Sequence, residues 1–202
     1  MSLEPTASAR PSALSGVRYG VIARFDDPRG SFRELWRASA TGDLDPADAG
    51  APAGTVPAFV QANRSTSSAG VLRGLHVHRR QLDHWVVNDG RALVALVDIR
   101  PVLADPATAP VVETRELGPD DWVDIPAGVA HGFLALEPLD LIYVVTNEYD
   151  GSDELGFAWD DPRVGVPWPR IAATPDGRPI LSERDRSNPT LAELVARLRI
   201  TA

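Results

Sequence analysis

The chain has 202 residues, which indicates one domain, and it carries 20 basic and 28 acidic side chains for a formal net charge of -8 at pH 7. This acidic balance argues against non-specific nucleic-acid binding, which rests on many cationic phosphate contacts. There is no cysteine, and all 20 basic residues are arginine. Thiolate nucleophiles, disulfides, Schiff-base lysines and a P-loop lysine are therefore excluded.

The chain has neither an apolar run near the roughly 18 residues of a membrane span nor the apolar stretch of a secretory signal. We therefore expect a cytoplasmic protein without a membrane partner. Residues 1–16, rich in Ser, Ala and Pro, predict a disordered tail, and residues 17–202 predict a single domain.

Short alternating apolar runs after the tail, separated by Gly, Pro, Asp and Asn, predict many β-strands. They are Val17–Arg24, Phe32–Trp36, Ala58–Ser65, Val71–His78, His84–Val87, Arg91–Ile99, Val111–Leu117, Trp122–Ile125, Gly132–Leu136 and Leu139–Asn147. This density indicates an all-β sandwich or barrel. Residues 42–57 predict a surface loop. The sequence Asn88-Asp89-Gly90 predicts a hairpin turn, since these residues tolerate positive φ.

The last predicted element is a C-terminal helix. Thr190 and Glu193 form a capping-box pattern, and apolar residues then recur at helical spacing from Leu191 to Leu198. We expect this helix to pack on the outside of a sheet.

The four histidines of the chain are His76, His78, His84 and His131. A histidine is more often a structural residue than a functional one. However, His76 and His78 on one strand point to the same face, and His131 follows a Pro-x-Gly turn. This arrangement favours a functional site.

Several motifs occur together in a fixed order along the chain. They are Asp27–Glu34, Gln61–Ser65, Arg73–His76, Val97–Arg100, Ile125–Phe133, Tyr143, Trp159–Pro162, Trp168-Pro169 and Leu181–Asp185. The ordered set resembles the dTDP-4-dehydrorhamnose 3,5-epimerase family of nucleotide-sugar cupins over nearly the whole chain beyond the tail.

The resemblance implies an all-β double-stranded β-helix, the cupin jelly roll, and a homodimer that exchanges an N-terminal strand. It implies epimerisation at C3, C5 or both of a dTDP-linked 4-keto-6-deoxyhexose, without a cofactor. His76 matches the catalytic base, Asp185 the carboxylate that orients it, and Tyr143 the acid on the opposite face of the sugar. The residues that match positions binding the nucleotide, the diphosphate or the keto oxygen are Arg29, Glu34, Gln61, Asn63, Arg73, His131 and Tyr149.

Two residues depart from the family pattern inside the expected pocket. The family usually has Gln where this chain has His78. It usually has a lysine, thought to stabilise the enolate, where this chain has Asp83. With no lysine anywhere, Arg73, His78, His84 or His131 would have to take over that role. Losing one such donor costs about 100- to 1000-fold in rate.

Two alternative hypotheses remain open. His76, His78, Asp83 and His131 also resemble the ligand set of metal-binding cupins, and three imidazoles with a carboxylate suit a divalent Fe, Mn, Ni or Zn ion. In this alternative the protein is a metal-dependent cupin enzyme. In the other, the missing lysine marks a nucleotide-sugar binding protein with weakened activity.

Overall fold

Two five-stranded antiparallel sheets pack against each other in the computed structural model, which describes residues 10–37 and 44–200. The strands are β1 (Arg18–Val21), β2 (Arg24–Asp27), β3 (Gly30–Arg33), β4 (Gln61–Ser67), β5 (Leu72–Val77), β6 (Asp83–Asp89), β7 (Ala92–Asp98), β8 (Val111–Leu117), β9 (Asp121–Ile125), β10 (Val129–Ala135), β11 (Leu139–Val145) and β12 (Leu155–Gly156). The helices are α1 (Arg100–Ala104), α2 (Glu183–Ser187) and α3 (Leu191–Ile200).

The first sheet has the order β1-β9-β6-β11-β4 and the second the order β12-β5-β10-β7-β8, while β2 and β3 form a separate hairpin. Apolar side chains from both large sheets meet in one core, with Tyr19, Trp85 and Leu141 from the first sheet and Leu96 and Phe133 from the second. This antiparallel sandwich with a C-terminal helix confirms the predicted jelly roll.

Helix α3 packs on the outer face of the second sheet, as predicted. Its Leu191 and Leu194 pack in a cluster with Leu75, Val77 and Val97. Both faces of β5 and β7 are therefore covered, which explains why these strands are so apolar.

The capping box at the start of α3 also forms as predicted. The Oγ1 atom of Thr190 accepts a hydrogen bond from the Glu193 backbone N–H at 3.3 Å, and Glu193 Oε2 accepts one from the Thr190 N–H at 2.8 Å. Two of the free N–H groups at the helix start are thereby satisfied.

The turn at Asn88-Asp89-Gly90 does not form the predicted hairpin, because β6 lies in the first sheet and β7 in the second. Gly90 has φ +81°, and a Cβ atom there would lie 2.0 Å from the carbonyl oxygen of Pro138. The local turn signal was correct, but the turn carries the chain between sheets. A hairpin forms instead at β2–β3, and the strand predicted over Phe32–Trp36 overlaps only the end of β3, which stops at Arg33.

The predicted tail falls partly outside the described residues, which begin at Arg10. The backbone N–H of Arg10 donates to the carbonyl of Tyr19 at 3.1 Å, that of Ala13 donates to Glu113 Oε2 at 2.8 Å, and Leu14 is buried. Residues 10–16 thus lie against the sandwich. Residues 44–57 contain no strand, as expected for the predicted loop, whose residues 42–43 lie outside the described chain.

No helix in the described part of the chain is both long enough and apolar enough to cross a membrane.

Candidate active site

A cavity of about 480 Å³ lies between the two sheets and opens to solvent near residues 147–154. Strands β4, β6 and β11 of the first sheet and β5 and β10 of the second contribute its walls. Nine of the residues singled out from the sequence line it: Gln61, Asn63, Arg73, His76, His78, Asp83, His131, Tyr143 and Tyr149. The structure therefore brings most of the predicted site residues together in one cavity.

Strand alternation aims His76 into the cavity. Its neighbours Leu75 and Val77 point the other way, into the cluster beneath α3. The Nε2 atom of His76 lies 2.7 Å from Oδ1 of Asp185. Because Nε2 is engaged, Nδ1 is the ring nitrogen left for a substrate, and no described residue hydrogen-bonds it.

Asp185 lies behind His76, on the short helix α2. Ser182 caps this helix by accepting a hydrogen bond from the Asp185 backbone N–H at 3.0 Å, and the carboxylate is buried. Burial alone would raise the pKa of Asp185, but the hydrogen bond and charge of His76 outweigh it and hold this pKa below its usual value. An ionised Asp185 favours the Nε2–H tautomer and stabilises a protonated His76. Helix α2 was not predicted, although Ser182 three residues before Asp185 is a capping signal.

Tyr143 enters the cavity from β11, which belongs to the sheet opposite β5. Its hydroxyl is not hydrogen-bonded to any residue that the structure describes. Burial, with the charge of Asp83 as the second cause, raises the pKa of Tyr143 above its usual value. The phenol therefore stays protonated at neutral pH, as a proton donor must.

Arg73 is a cavity cation without a carboxylate partner in residues 10–37 and 44–200. Its guanidinium donates to Ser67 Oγ at 3.1 Å and to the Thr66 carbonyl at 3.2 Å. Both acceptors are neutral, so they orient the guanidinium and leave its positive charge available to bind an anion.

Three side chains form a compact buried group at the inner end of the cavity: His78, Asp83 and His131. One ligand atom from each lies within 4.8 Å of the others. Burial lowers the pKa of His131 to about 4, against the attraction of Asp83, so this ring is neutral at pH 7. His76 lies outside the group, so the four-ligand set expected for a metal cupin is reduced to three residues.

His84 lies on the opposite face of β6 from Asp83 and Trp85. Its Nδ1 atom is 2.7 Å from Oδ1 of Asp124, and its ring contacts Trp122 at a tilt of 37°, with the ring centres 5.4 Å apart. His84 does not line the cavity, so it does not replace the missing lysine.

Gln61 and Asn63 lie side by side on β4 at the mouth of the cavity. Gln61 Nε2 donates to Asn63 Oδ1 at 2.9 Å, and Gln61 Oε1 accepts from the Tyr149 backbone N–H at 2.9 Å. The Tyr149 side chain is exposed. These groups form a polar rim with an unpartnered aromatic ring beside it.

Arg29 and Glu34, two of the predicted substrate-binding residues, do not line the cavity of this chain. Arg29 is at the tip of the β2–β3 hairpin, where its exposed guanidinium pairs with Asp27, and Glu34 pairs with Arg37. The structure therefore separates these two residues from the other predicted site residues.

Sequence reasoning missed an acidic segment at the cavity mouth, which includes Glu148, Asp150, Asp153 and Glu154. The carbonyl of Asp153 lies 2.7 Å from Nδ1 of His78, and its carboxylate accepts from the backbone N–H groups of Arg79 and Arg80, each at 2.9 Å. The signal was a polar run directly after the β11 strand pattern.

Comparison with known proteins identifies the family. The family model described as dTDP-4-dehydrorhamnose 3,5-epimerase matches residues 11–193. The chain belongs to this family. A Streptomyces griseus protein named dTDP-4-dehydrorhamnose 3,5-epimerase is 33% identical over 194 residues, covering 93% of this chain and 88% of that protein. A protein of the same name from Escherichia coli strain K12 is 35% identical over 183 residues, covering 88% and 90%.

The structure is also similar to solved members of the dTDP-4-dehydrorhamnose 3,5-epimerase family. One is dTDP-6-deoxy-D-glucose-3,5-epimerase RmlC from Legionella pneumophila Philadelphia 1, in complex with dTDP-4-keto-L-rhamnose. Its TM-score is 0.76 at 28% identity, with 95% of this chain and 96% of that chain covered. By family, this protein is an isomerase of the epimerase type.

Proposed function

We propose that the protein inverts C3, C5 or both in a dTDP-linked 4-keto-6-deoxyhexose. The observation that carries this proposal is the His76–Asp185 pair, which faces the Tyr143 hydroxyl across one cavity from the opposite sheet. Inversion at carbon needs a base on one side and an acid on the other. The names of the relatives and the sugar nucleotide bound to the Legionella enzyme support the same substrate class.

In the first step His76 removes a proton from the carbon next to the C4 ketone. The electron pair of the broken C–H bond forms a C=C bond, and the C4 carbonyl becomes an enolate oxygen. The proton goes to Nδ1, since Nε2 is held by Asp185. The carboxylate stabilises the resulting imidazolium.

In the second step Tyr143 donates its phenolic proton to the same carbon from the opposite side. The C=C bond becomes C–C again, and the enolate returns to the ketone with inverted configuration. Tyrosinate then takes a proton from water and His76 releases one, so the enzyme is restored. The sequence transfers protons only and consumes no cofactor.

Binding is assigned to the polar groups around the cavity. Arg73 presents an unpaired charge suited to the diphosphate, and Gln61 and Asn63 present amides at the mouth. Tyr149 offers an exposed ring for the base, and His131, which lies beside His76 in the strand register, is assigned to the keto oxygen. These roles follow the resemblance and suit the chemistry of each group.

We also propose a homodimer in which Arg29 and Glu34 reach the cavity of the second copy. Both residues lie away from their own cavity, on or beside a hairpin outside the two large sheets. Phe32 on this hairpin is 60% exposed, as expected of an apolar side chain that a second copy would cover.

The catalytic proposal is tested by incubating the protein with dTDP-4-keto-6-deoxyglucose in heavy water. Deuterium at C3 or C5 is the expected result, with incorporation lost in His76→Asn. Tight dTDP binding without exchange at either carbon in the wild-type protein would overturn the proposal and support the binding-protein alternative.

The dimer proposal is tested by light scattering and by mixing two inactive variants, Arg29→Ala and His76→Asn. If Arg29 acts on the cavity of the other copy, mixed dimers contain one complete site and recover exchange. A monomeric mass, or no recovery after the subunits have been exchanged, would contradict the proposal.

A further inference from the structure

The buried group formed by His78, Asp83 and His131 takes no part in the proposed proton transfers. His131 is paired with His76 across β10 and β5, so the group lies next to the base. All three residues are buried. The hydrogen bonds that each residue makes to groups outside these three decide which of its atoms face the other two.

Each imidazole of the group is oriented by a backbone carbonyl. The Nδ1 atom of His78 lies 2.7 Å from the Asp153 carbonyl oxygen, and that of His131 lies 3.3 Å from the Val129 carbonyl oxygen. A carbonyl oxygen only accepts hydrogen bonds, so both Nδ1 atoms carry the proton. With Nδ1 engaged in this way, Nε2 is the nitrogen of each ring that can offer a lone pair to an ion. A backbone carbonyl on the far ring nitrogen is one of the common outer contacts of a metal-ligating histidine.

Asp83 is held by neutral donors only. Its Oδ1 atom accepts from Gln81 Nε2 at 2.7 Å and its Oδ2 atom from Trp85 Nε1 at 3.1 Å. The Nε2 atom of His131 is 3.8 Å from Asp83 Oδ2, which is too long for a hydrogen bond. No arginine of the described residues forms an ion pair with this carboxylate.

Three electron-pair donors thus converge in a buried group, and no arginine of residues 10–37 and 44–200 forms an ion pair with them. A buried carboxylate in that position is costly unless a positive charge joins it. We propose that His78, Asp83 and His131 form a site for a divalent first-row transition-metal ion. Two imidazole nitrogens and one carboxylate oxygen are a ligand set that such ions accept with open positions remaining.

The spacing is compatible with this assignment. Ligand atoms bound to one ion at about 2.1 Å lie about 3 to 4 Å apart, and the three atoms here already lie within 4.8 Å of one another. Small side-chain rotations would close the set. When bound, an ion there would supply positive charge beside the C4 oxygen of a sugar placed over His76. This consequence rests on the proposed function, whereas the site itself does not.

Binding is measured on the full chain after dialysis against a chelator, by titration with Co²⁺ in a calorimeter and by visible absorption. The expected result is saturation at a single ion per chain with a ligand-field spectrum. His78→Gln and Asp83→Asn should each weaken binding by at least about 10- to 100-fold. His84→Gln, which changes a histidine of the same strand outside the cavity, should not weaken it.

Absence of saturable Co²⁺ binding would overturn the site, and so would binding that survives in both ligand variants. The role at the C4 oxygen is tested separately, by comparing deuterium exchange into the sugar nucleotide before and after adding Co²⁺. We expect exchange to rise at least about 10-fold, and no change would overturn the role. Metal binding without any exchange would contradict the proposed function and leave the site standing.

Discussion

The Nε2 atom of His76 lies 2.7 Å from Oδ1 of Asp185, although 109 positions separate the two residues in the chain. His76 reaches the cavity by strand alternation, and Asp185 reaches His76 because Ser182 starts a short helix behind β5. A second pair with similar geometry, His84 with Asp124, lies outside the cavity. Comparing a variant of each pair can therefore distinguish a loss of catalysis from a loss of structure.

Replacing Asp185 with Asn should reduce deuterium exchange about 100-fold or more, because the base loses the carboxylate that fixes its tautomer and stabilises its charged form. Affinity for dTDP should hold, since Asp185 does not line the cavity. Asp124→Asn is the matched control and should keep the wild-type rate per folded molecule. Equal losses in the two variants would refute a catalytic role for Asp185.

Replacing Tyr143 with Phe should separate exchange from inversion. His76 still removes a proton and returns one from its own side, so deuterium enters with retained configuration. Formation of the inverted sugar should fall about 100-fold or more, because the donor on the opposite side is gone. NMR of the product distinguishes the two processes. Inversion at the wild-type rate in Tyr143→Phe would show that another group donates the proton.

The ionisation of Tyr143 should occur above pH 10. Burial and the charge of Asp83 raise its pKa, so the active, protonated phenol persists to higher pH than a phenol in water. The alkaline fall in the rate of inversion should therefore have its midpoint at a higher pH than the ionisation of a tyrosine in water. The difference between the ultraviolet titrations of the wild-type protein and Tyr143→Phe measures this ionisation, and a midpoint at or below pH 10 would be inconsistent with it.

Removing the Arg73 charge should weaken nucleotide binding. Arg73→Gln removes charge-assisted hydrogen bonds, each of which contributes about 1.5 to 3 kcal/mol, so the Kd for dTDP should rise about 10- to 100-fold. Arg91→Gln is the control, since Arg91 is exposed and paired with Glu137 outside the cavity. Calorimetric titration compares the two, and equal affinities would argue against a phosphate contact at Arg73.

Shortening a buried side chain between α3 and the second sheet should lower the stability of the protein without changing its catalytic rate per folded molecule. Leu194→Ala leaves a gap beneath the helix and should lower the free energy of unfolding by about 2 to 5 kcal/mol. Ile200→Ala, at an exposed position of the same helix, should have little effect. Urea unfolding measures both, and equal changes would mean that the helix does not depend on this contact.

Local patterns in the sequence were enough for most of the strands, the C-terminal helix and the direction of the histidine pair, although β12 and the β2–β3 hairpin were not predicted. Alternation with period two decides which side chains share a face, and the Thr190–Glu193 cap depends on residues three positions apart. These features are set by near neighbours, so they can be read without knowing the fold. The motif order also led correctly to the family.

Only the tertiary structure decided which distant groups meet. It joined Asp185 to His76, left His76 outside the buried group of His78, Asp83 and His131, and placed Arg29 away from its own cavity. It also decided that the turn at Asn88-Asp89-Gly90 carries the chain from the first sheet to the second instead of closing a hairpin. These contacts depend on how whole sheets and helices pack. Residues far apart in the chain meet only where the burial of apolar faces brings their strands or helices together.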